Sequence, residues 1–395
     1  MLTPDEQLLA HPSSQWLDVD GVSVHYVLAQ QQLHRHHRGV EEQFDCVLLH
    51  GFGGGAFTWY DALPALLGEA ESPADSTLPC GFARVMAVDR VGFALSARPE
   101  RMSQDSDNVT APQGSSPSRP RTWSTATNAN PYSDAFGVRV LEQLLRHVNS
   151  DTSPRRLVLV AHDTGAATAL RFARRHAARV AAVVLASPSG GVPTVMRQFL
   201  GTSLGRPLIA QLVRSDLGDV TLRRAFYDPA EMPARVRRQY KAALRLPEWE
   251  KALFEVARAA EQESTDLRAL LQQVLALRAK SDDVKHDSNS NDYTSANDSS
   301  ESQVPRVLLL HGDSDRLVQV TQSEALASAC PGVQLELMLR CGHLPHQEIP
   351  QRFARRVLQF VQPLRGDTAR VDEPQMEQDT TPILSHRHPS TLSGY

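Results

Sequence analysis

Three short stretches of this chain carry residue types that could act together on a substrate. Leu157-Val158-Leu159-Val160-Ala161-His162-Asp163-Thr164-Gly165 is an apolar strand pattern that enters a small-x-Asp-x-Gly turn, with a helical pattern from about Ala167. Small residues at 161 and 165 suit a tight strand-to-helix turn, in which the two backbones approach too closely for larger side chains. Such a turn exposes the Asp163 carboxylate at the sheet edge and at a helix N-terminus, whose unsatisfied N–H groups favour an anion. With an ordinary pKa of ~3.9 the carboxylate is ionised at neutral pH and needs no base to attack. The same residue type also caps helices, so Asp163 alone leaves both readings open. Its candidate partners lie further on. Val307-Leu308-Leu309-Leu310-His311-Gly312-Asp313-Ser314-Asp315 is a buried-strand pattern ending in G-x-x-D, and Gly342-His343-Leu344-Pro345 follows it. Upstream, Val47-Leu48-Leu49-His50-Gly51-Phe52-Gly53-Gly54-Gly55 is a strand ending in a glycine-rich turn with exposed amides. The candidates are Asp163 as nucleophile, His343 as base and either Asp313 or Asp315 as its orienting acid. The Phe52 and Thr164 amides would stabilise an oxyanion.

Positioning these residues requires a sheet whose strands end together. Short β-branched or leucine runs alternate with helical patterns, as in a mostly parallel, helix-covered α/β sheet. After the Asp20-Gly21 turn, Val22, Val24 and Tyr26 alternate as in an antiparallel edge hairpin. Strands are expected at Cys46 to Leu49, Ala83 to Val88, Leu157 to Ala161, Ala181 to Ala186, Val307 to Leu310 and Gln334 to Leu339. The expected organisation is a core over 14–191, a helical cap over 192–280, the end of the core over 304–365 and a flexible tail over 366–395. Polar, Ser-rich segments at 101–133 and 281–303 have too few apolar groups to offset the entropy of ordering, and read as disordered inserts.

The chain order nucleophile, acid, histidine, with the glycine-rich turn before them, resembles the α/β-hydrolase fold superfamily over most of the length expected to be ordered. The resemblance implies a doubly wound, mostly parallel sheet with a helical cap insertion. Ala87-Val88-Asp89-Arg90-Val91-Gly92-Phe93-Ala94-Leu95-Ser96 resembles a segment that follows the fourth strand in many members, and reads as a structural turn. Asp at the elbow resembles the epoxide hydrolase and haloalkane dehalogenase branches. Leu9-Ala10 and Leu244-Arg245-Leu246-Pro247-Glu248-Trp249 look closer to esterase-like members with Ser at the elbow. In the mechanism the Asp branches imply, Asp163 opens the substrate to a covalent ester and His343, oriented by Asp315, activates the water that hydrolyses it. Thr164 and Phe52 stand where dehalogenases usually carry halide-binding residues, which counts against a halide. Epoxide hydrolases usually have H-G-x-P at the first turn, where this chain has Gly53, and two cap tyrosines, for which Tyr227 and Tyr240 are the candidates. Those tyrosines, with Trp59 and Trp249, also fit ordinary packing.

Three readings follow: an epoxide hydrolase-like enzyme acting on a small, largely apolar molecule, an ester hydrolase with a drifted elbow, or a catalytically inactive binding protein of this fold. Composition trims the field. A net charge of −4 and 22% charged residues leave no basic field for nucleic acid. No apolar run reaches the ~20 residues that span a bilayer, and the start carries no readable secretory signal, so a cytoplasmic protein with a small-molecule substrate is expected. Cys46, Cys80, Cys330 and Cys341 lack metal or disulfide spacing. His34-Arg35-His36-His37 reads as a solvated loop rather than a metal tract. Gly51 to Gly55 lacks the lysine of a phosphate loop. No cofactor or metal is implied, and nothing in the sequence addresses oligomeric state.

Overall fold

A computed structural model describes residues 2–31, 44–69, 80–101, 122–123, 130–149, 155–191, 211, 220, 222–263, 265–286 and 305–366. One eight-stranded sheet organises them: β1 (Ser14–Val19), β2 (Val22–Gln30), β3 (Asp45–Leu49), β4 (Arg84–Val88), β5 (Leu157–His162), β6 (Val180–Ala186), β7 (Arg306–Gly312) and β8 (Val333–Met338). Their order across the sheet is β1-β2-β4-β3-β5-β6-β7-β8. β1 and β2 pair antiparallel, as do β2 and β4, and every later pairing is parallel. The β1–β2 hairpin turns on Asp20 and Gly21, both with positive φ (51° and 87°), the geometry a two-residue turn demands.

Parallel strands buried on both faces explain why these segments read as continuous apolar runs. Val47 and Leu49, Leu157, Leu159 and Ala161, and Val183 and Leu185 face one core. Cys46 and Leu48, Val158 and Val160, and Ala182, Val184 and Ala186 face the other. The first core is closed by α3 (Asp134–Val148) and α4 (Gly165–Arg175), and the second by α2 (Leu63–Leu66) and α10 (Pro350–Val361). Further α-helices among the described residues are α1 (Pro4–Leu9), α5 (Ala234–Ala243), α6 (Trp249–Glu263), α7 (Leu267–His286), α8 (Val320–Ala329) and α9 (Pro345–Glu348).

The segment read as one cap packs in three different ways. Leu246 and α5 residues Ala242 and Ala243 share a small cluster with Leu9 and Phe57. α6 joins the first core through Trp249, Ala252 and Val256, and Glu263 at its end accepts the Asp134 and Ala135 amides at the start of α3. α7 packs on α4, its Leu267, Leu270, Leu271 and Val274 buried in that same core. Most of 192–221 lies outside the described residues.

Two expectations are corrected. The first dozen residues are not external to the fold: α1 forms a helix with a Thr3/Glu6 capping box, and the Tyr60 hydroxyl donates to the Leu9 carbonyl at 2.7 Å. A six-residue helix is marginal alone, and its order comes from burying Leu9, which tertiary contact alone reveals. The unstructured reading of 101–133 fails at its end, where the Tyr132 ring is buried and its hydroxyl donates to the Pro99 carbonyl at 2.7 Å. Thr122–Trp123 also pairs with Glu100–Arg101 as a two-residue parallel ribbon. The rest of that insert lies outside the described residues, as do 287–303, 367–395 and the His34–His37 tract, whereas 281–286 continue α7.

Candidate active site

The strands end on one edge, and every chemically interesting stretch lies there. β3 delivers Gly51 and Phe52, β5 delivers Asp163, β7 delivers Asp315, and the turn after β8 delivers His343. Asp163 has a φ of +49°, a strained value for a residue with a Cβ that persists only where packing imposes it. Its N–H donates to Ala186 O at 3.0 Å and its carbonyl accepts from Ala166 N at 3.2 Å, which pins the elbow to β6 and to α4. The packing explains the small residues around it. A Cβ on Gly165 would lie 2.8 Å from His50 O, and one on Gly51 would lie 2.6 Å from the Asp163 Cβ.

Both carboxylate oxygens of Asp163 are held. Oδ2 accepts from the Phe52 N–H at 2.9 Å. Oδ1 accepts from the Ser189 hydroxyl, a short contact from the turn after β6. Burial by itself would raise the Asp163 pKa; the charge of His343 and the hydrogen bonds from Ser189 and Phe52 outweigh it and hold the group below the ordinary carboxylate value. The group is therefore ionised at neutral pH. The Thr164 N–H makes no hydrogen bond to any of the described residues, while its hydroxyl accepts from Arg90 Nη1 at 3.0 Å. Arg90 continues to Asp134 Oδ1 at 3.3 Å, so the elbow is braced against the start of α3.

His343 meets Asp315 through Nδ1 and Oδ2 at 2.8 Å. Asp315 Oδ1 accepts from the Leu317 and Val318 amides at 2.8 and 2.9 Å, and His311 Nε2 lies 3.3 Å from Oδ2. Desolvation opposes its charge, but the hydrogen bonds from His311 and His343 dominate and drive its pKa far down. Burial likewise works against a charged His343. The hydrogen bond and charge of Asp315, with the charge of Asp163, prevail and raise its pKa above 6.5. Asp313, the alternative acid, turns away and accepts from Cys341 N at 3.2 Å and the Ser314 hydroxyl at 2.9 Å. The structure thus brings Asp163, His343 and Asp315 together and leaves Asp313 aside.

Two further histidines flank the site in neutral form. His50 is pushed down to about 4, first by burial, and its Nδ1 donates to Gly51 O at 2.7 Å while Nε2 accepts from Arg90 N at 2.9 Å. His162 is pushed down to about 3 by burial and then by the charge of His343, and its Nε2 donates to the His343 carbonyl at 2.9 Å. These contacts fix the loops that carry Phe52 and His343.

The two candidate tyrosines separate. The Tyr240 hydroxyl donates to Gln347 Oε1 at 3.0 Å, and burial, followed by the negative charge of Asp163, pushes its phenol far above its ordinary value. Tyr227 instead places its ring under Arg340, 5.6 Å from guanidinium to centroid. Its backbone N–H donates to Glu348 Oε1 at 2.6 Å, and Glu348 Oε2 accepts from Gly342 N at 2.7 Å, so this carboxylate ties the chain near Tyr227 to the His343 turn. Trp59 and Trp249 are core residues, 0% and 5% exposed. Asp89 is structural, as expected: it is buried and accepts from His25 Nδ1 and Leu95 N, both at 2.8 Å. Among the described residues the four cysteines form no disulfide.

Sequence reasoning missed Ser189, Arg90's bracing of Thr164, Gln347 as the partner of Tyr240, and the tether through Glu348. Ser189 sits in Ser187-Pro188-Ser189-Gly190-Gly191, which reads as any strand-ending turn. Beside the elbow a narrow recess, partly open to solvent, is lined by Phe52, Arg90, Thr164, Ser189, Val256 and Ala260 among others. Among the described residues no group of His, Cys, Asp and Glu has the arrangement to hold a metal ion, and no helix is long and apolar enough to cross a membrane.

A strand order with an antiparallel β2, a strained elbow after β5 and a histidine turn after β8 define an α/β hydrolase. The model of the alpha/beta hydrolase family matches residues 46–356, and the chain belongs to that family. A search of curated protein sequences finds no match. Solved structures share the fold at low identity. A membrane phospholipase A described as a bacterial virulence factor is 18% identical, covering 92% of this chain and 89% of its own at a TM-score of 0.58. The epoxide hydrolase CorEH is 17% identical, covering 89% and 99% at 0.56. A meta-cleavage product hydrolase from Pseudomonas fluorescens IP01 is 18% identical, covering 89% and 98% at 0.53.

Proposed function

We propose that this α/β hydrolase acts on a small, largely apolar electrophile, an epoxide ahead of an alkyl halide, through a covalent ester on Asp163. The observation that carries the reading is the Asp163 carboxylate itself. It is ionised at the elbow, with Oδ2 on the Phe52 amide and Oδ1 turned the other way. A carboxylate attacks saturated carbon productively, whereas attack on an ester carbonyl would give a high-energy anhydride. Oδ1 attacks a ring carbon, the C–O bond opens, and the developing alkoxide takes a proton. Tyr240 is the donor, as the candidate phenol whose environment includes the charge of Asp163.

Hydrolysis follows at the Asp163 Cγ. His343 takes a proton from water through Nε2, Asp315 stabilises the imidazolium, and the oxyanion on Oδ2 rests on the Phe52 and Thr164 amides. Similarity in fold to an epoxide hydrolase is compatible with this reading without selecting it over an ester substrate. The test is mass spectrometry of His343→Ala after incubation with epoxides and alkyl halides. An adduct mapped to Asp163, and absent in the Asp163→Asn, His343→Ala double variant, is expected. A folded His343→Ala protein that stays unmodified overturns the reading, and gain of esterase activity in Asp163→Ser would then favour the ester hydrolase.

A further inference from the structure

We infer that Ser189 is a catalytic hydrogen-bond donor for the second half-reaction, acting on the oxygen that must leave Asp163. The inference rests on the proposed Asp163 ester. Oδ2 is committed to the oxyanion position by the Phe52 N–H, so Oδ1 is the oxygen that bonds to substrate carbon. The Ser189 hydroxyl donates to that same Oδ1, and the Ser189 N–H lies 3.4 Å from the Asp163 carbonyl, so the residue grips the nucleophile from main chain and side chain together. It comes from the turn after β6, outside the nucleophile, acid and histidine set.

The electron balance shows what this position does. In the first step an Oδ1 lone pair forms the C–O bond to substrate and the substrate's own C–O bond breaks. In the second step hydroxide adds to Cγ, charge moves to Oδ2, and collapse of the tetrahedral centre breaks the Cγ–Oδ1 bond. Oδ1 then departs on the product as an alkoxide, while the water oxygen stays on Asp163. An alkoxide is a poor leaving group, and a hydrogen bond to it strengthens as charge develops, which is where catalysis acts. Ser189 keeps its own proton; the imidazolium of His343 supplies the one that neutralises Oδ1, and the proton that the added hydroxide leaves on the Asp163 carboxyl returns to the Tyr240 phenolate, so that Asp163 is again ionised. During alkylation, when a full bond to Oδ1 would weaken nucleophilicity, the hydroxyl has a second acceptor in Gly191 O at 3.4 Å.

Single-turnover mass spectrometry with styrene oxide and 1,2-epoxyhexane tests this on the full chain, comparing His343→Ala, Ser189→Ala, Ser189→Thr and the Ser189→Ala, His343→Ala double variant. The double variant should form the Asp163 adduct within a few-fold of the His343→Ala rate, which also shows that it is folded. Ser189→Ala with His343 intact should accumulate the adduct and lose it about 10- to 100-fold more slowly than the parent protein, the range expected for one hydrogen bond to a charged group. Ser189→Thr, which retains a hydroxyl, should restore much of the rate. Adduct decay at the parental rate in Ser189→Ala overturns the inference and leaves the Asp163 ester standing. Loss of adduct formation in the double variant alone also overturns it, by assigning Ser189 to alkylation. No adduct in His343→Ala overturns both.

Discussion

Asp163 and His343 occupy one electrostatic unit, in which each charge favours the other, and their opposite pKa shifts define the pH behaviour of the site. Asp163 is held down and stays ionised over the whole useful range. His343 is held up, and in the proposed mechanism it serves as a base only once deprotonated. Turnover should therefore fall as pH drops through a value above 6.5, while adduct formation in His343→Ala should stay level across the same window. Rate profiles of the parent and single-turnover alkylation of the variant check this together, and a common profile for both steps would contradict it. Asp163→Asn keeps the shape but removes the charged nucleophile, and should reduce turnover by on the order of 10³-fold or more. An unchanged rate in this variant would place the chemistry elsewhere.

Among the elements, the turns have less freedom than the helices. Gly312, ending β7, passes directly under the turn that carries His343: a Cβ there would lie 2.0 Å from Gly342 O and 2.4 Å from Cys341 O. These are backbone atoms that cannot rotate away, so Gly312→Ala should cost about 1–3 kcal/mol or more of stability, measured by chemical denaturation. Gly51→Ala differs in kind, because its Cβ would meet Asp163 Oδ2 at 2.8 Å and His162 Nδ1 at 2.7 Å. It should displace the nucleophile and lower activity more than stability, as seen by comparing turnover with the denaturation midpoint. β7 was legible from its apolar run, and so was G-x-x-D as the source of a candidate acid, whereas β8, read as a buried strand, has only Met338 buried. That Asp315 rather than Asp313 reaches His343 follows from the path of the turn, where the Leu317 and Val318 amides hold Asp315 inward.

For the whole molecule, the N-terminal helix joins the core to the helices that follow β6. Leu9 is buried with Phe57, Ala242 and Leu246, and Asp5 pairs with Arg245 at the surface. Leu9→Ala should destabilise by about 2–5 kcal/mol, whereas the exposed Asp5–Arg245 pair is worth at most ~1 kcal/mol. Thermal unfolding of Leu9→Ala and Asp5→Ala distinguishes the two, and equal effects would contradict the packing argument. The buried acid adds a pH dependence to the fold. Because the folded pKa of Asp315 is depressed, its stabilisation is present above the unfolded value of ~3.9 and is lost as pH falls through the folded value. The stability gap between the parent and Asp315→Asn should narrow under acid titration, and a constant gap would count against this role.

Sequence by itself determined the strands, their succession and the candidate residues Asp163, Asp315, His343 and Phe52, because continuous apolar runs, small residues at tight turns and chain order are local signals. It also supplied Tyr240 as a candidate, paired with Tyr227, which has the same local character. Only the tertiary structure separated them, since which ring shares a field with Asp163 depends on how residues after β6 fold back over the sheet edge. Ser189, Glu348 and α1 were illegible for the same reason. A hydroxyl in a turn, a carboxylate in a short helix and one buried leucine acquire meaning only from partners remote in the chain, here Asp163, Gly342 and the helix α5.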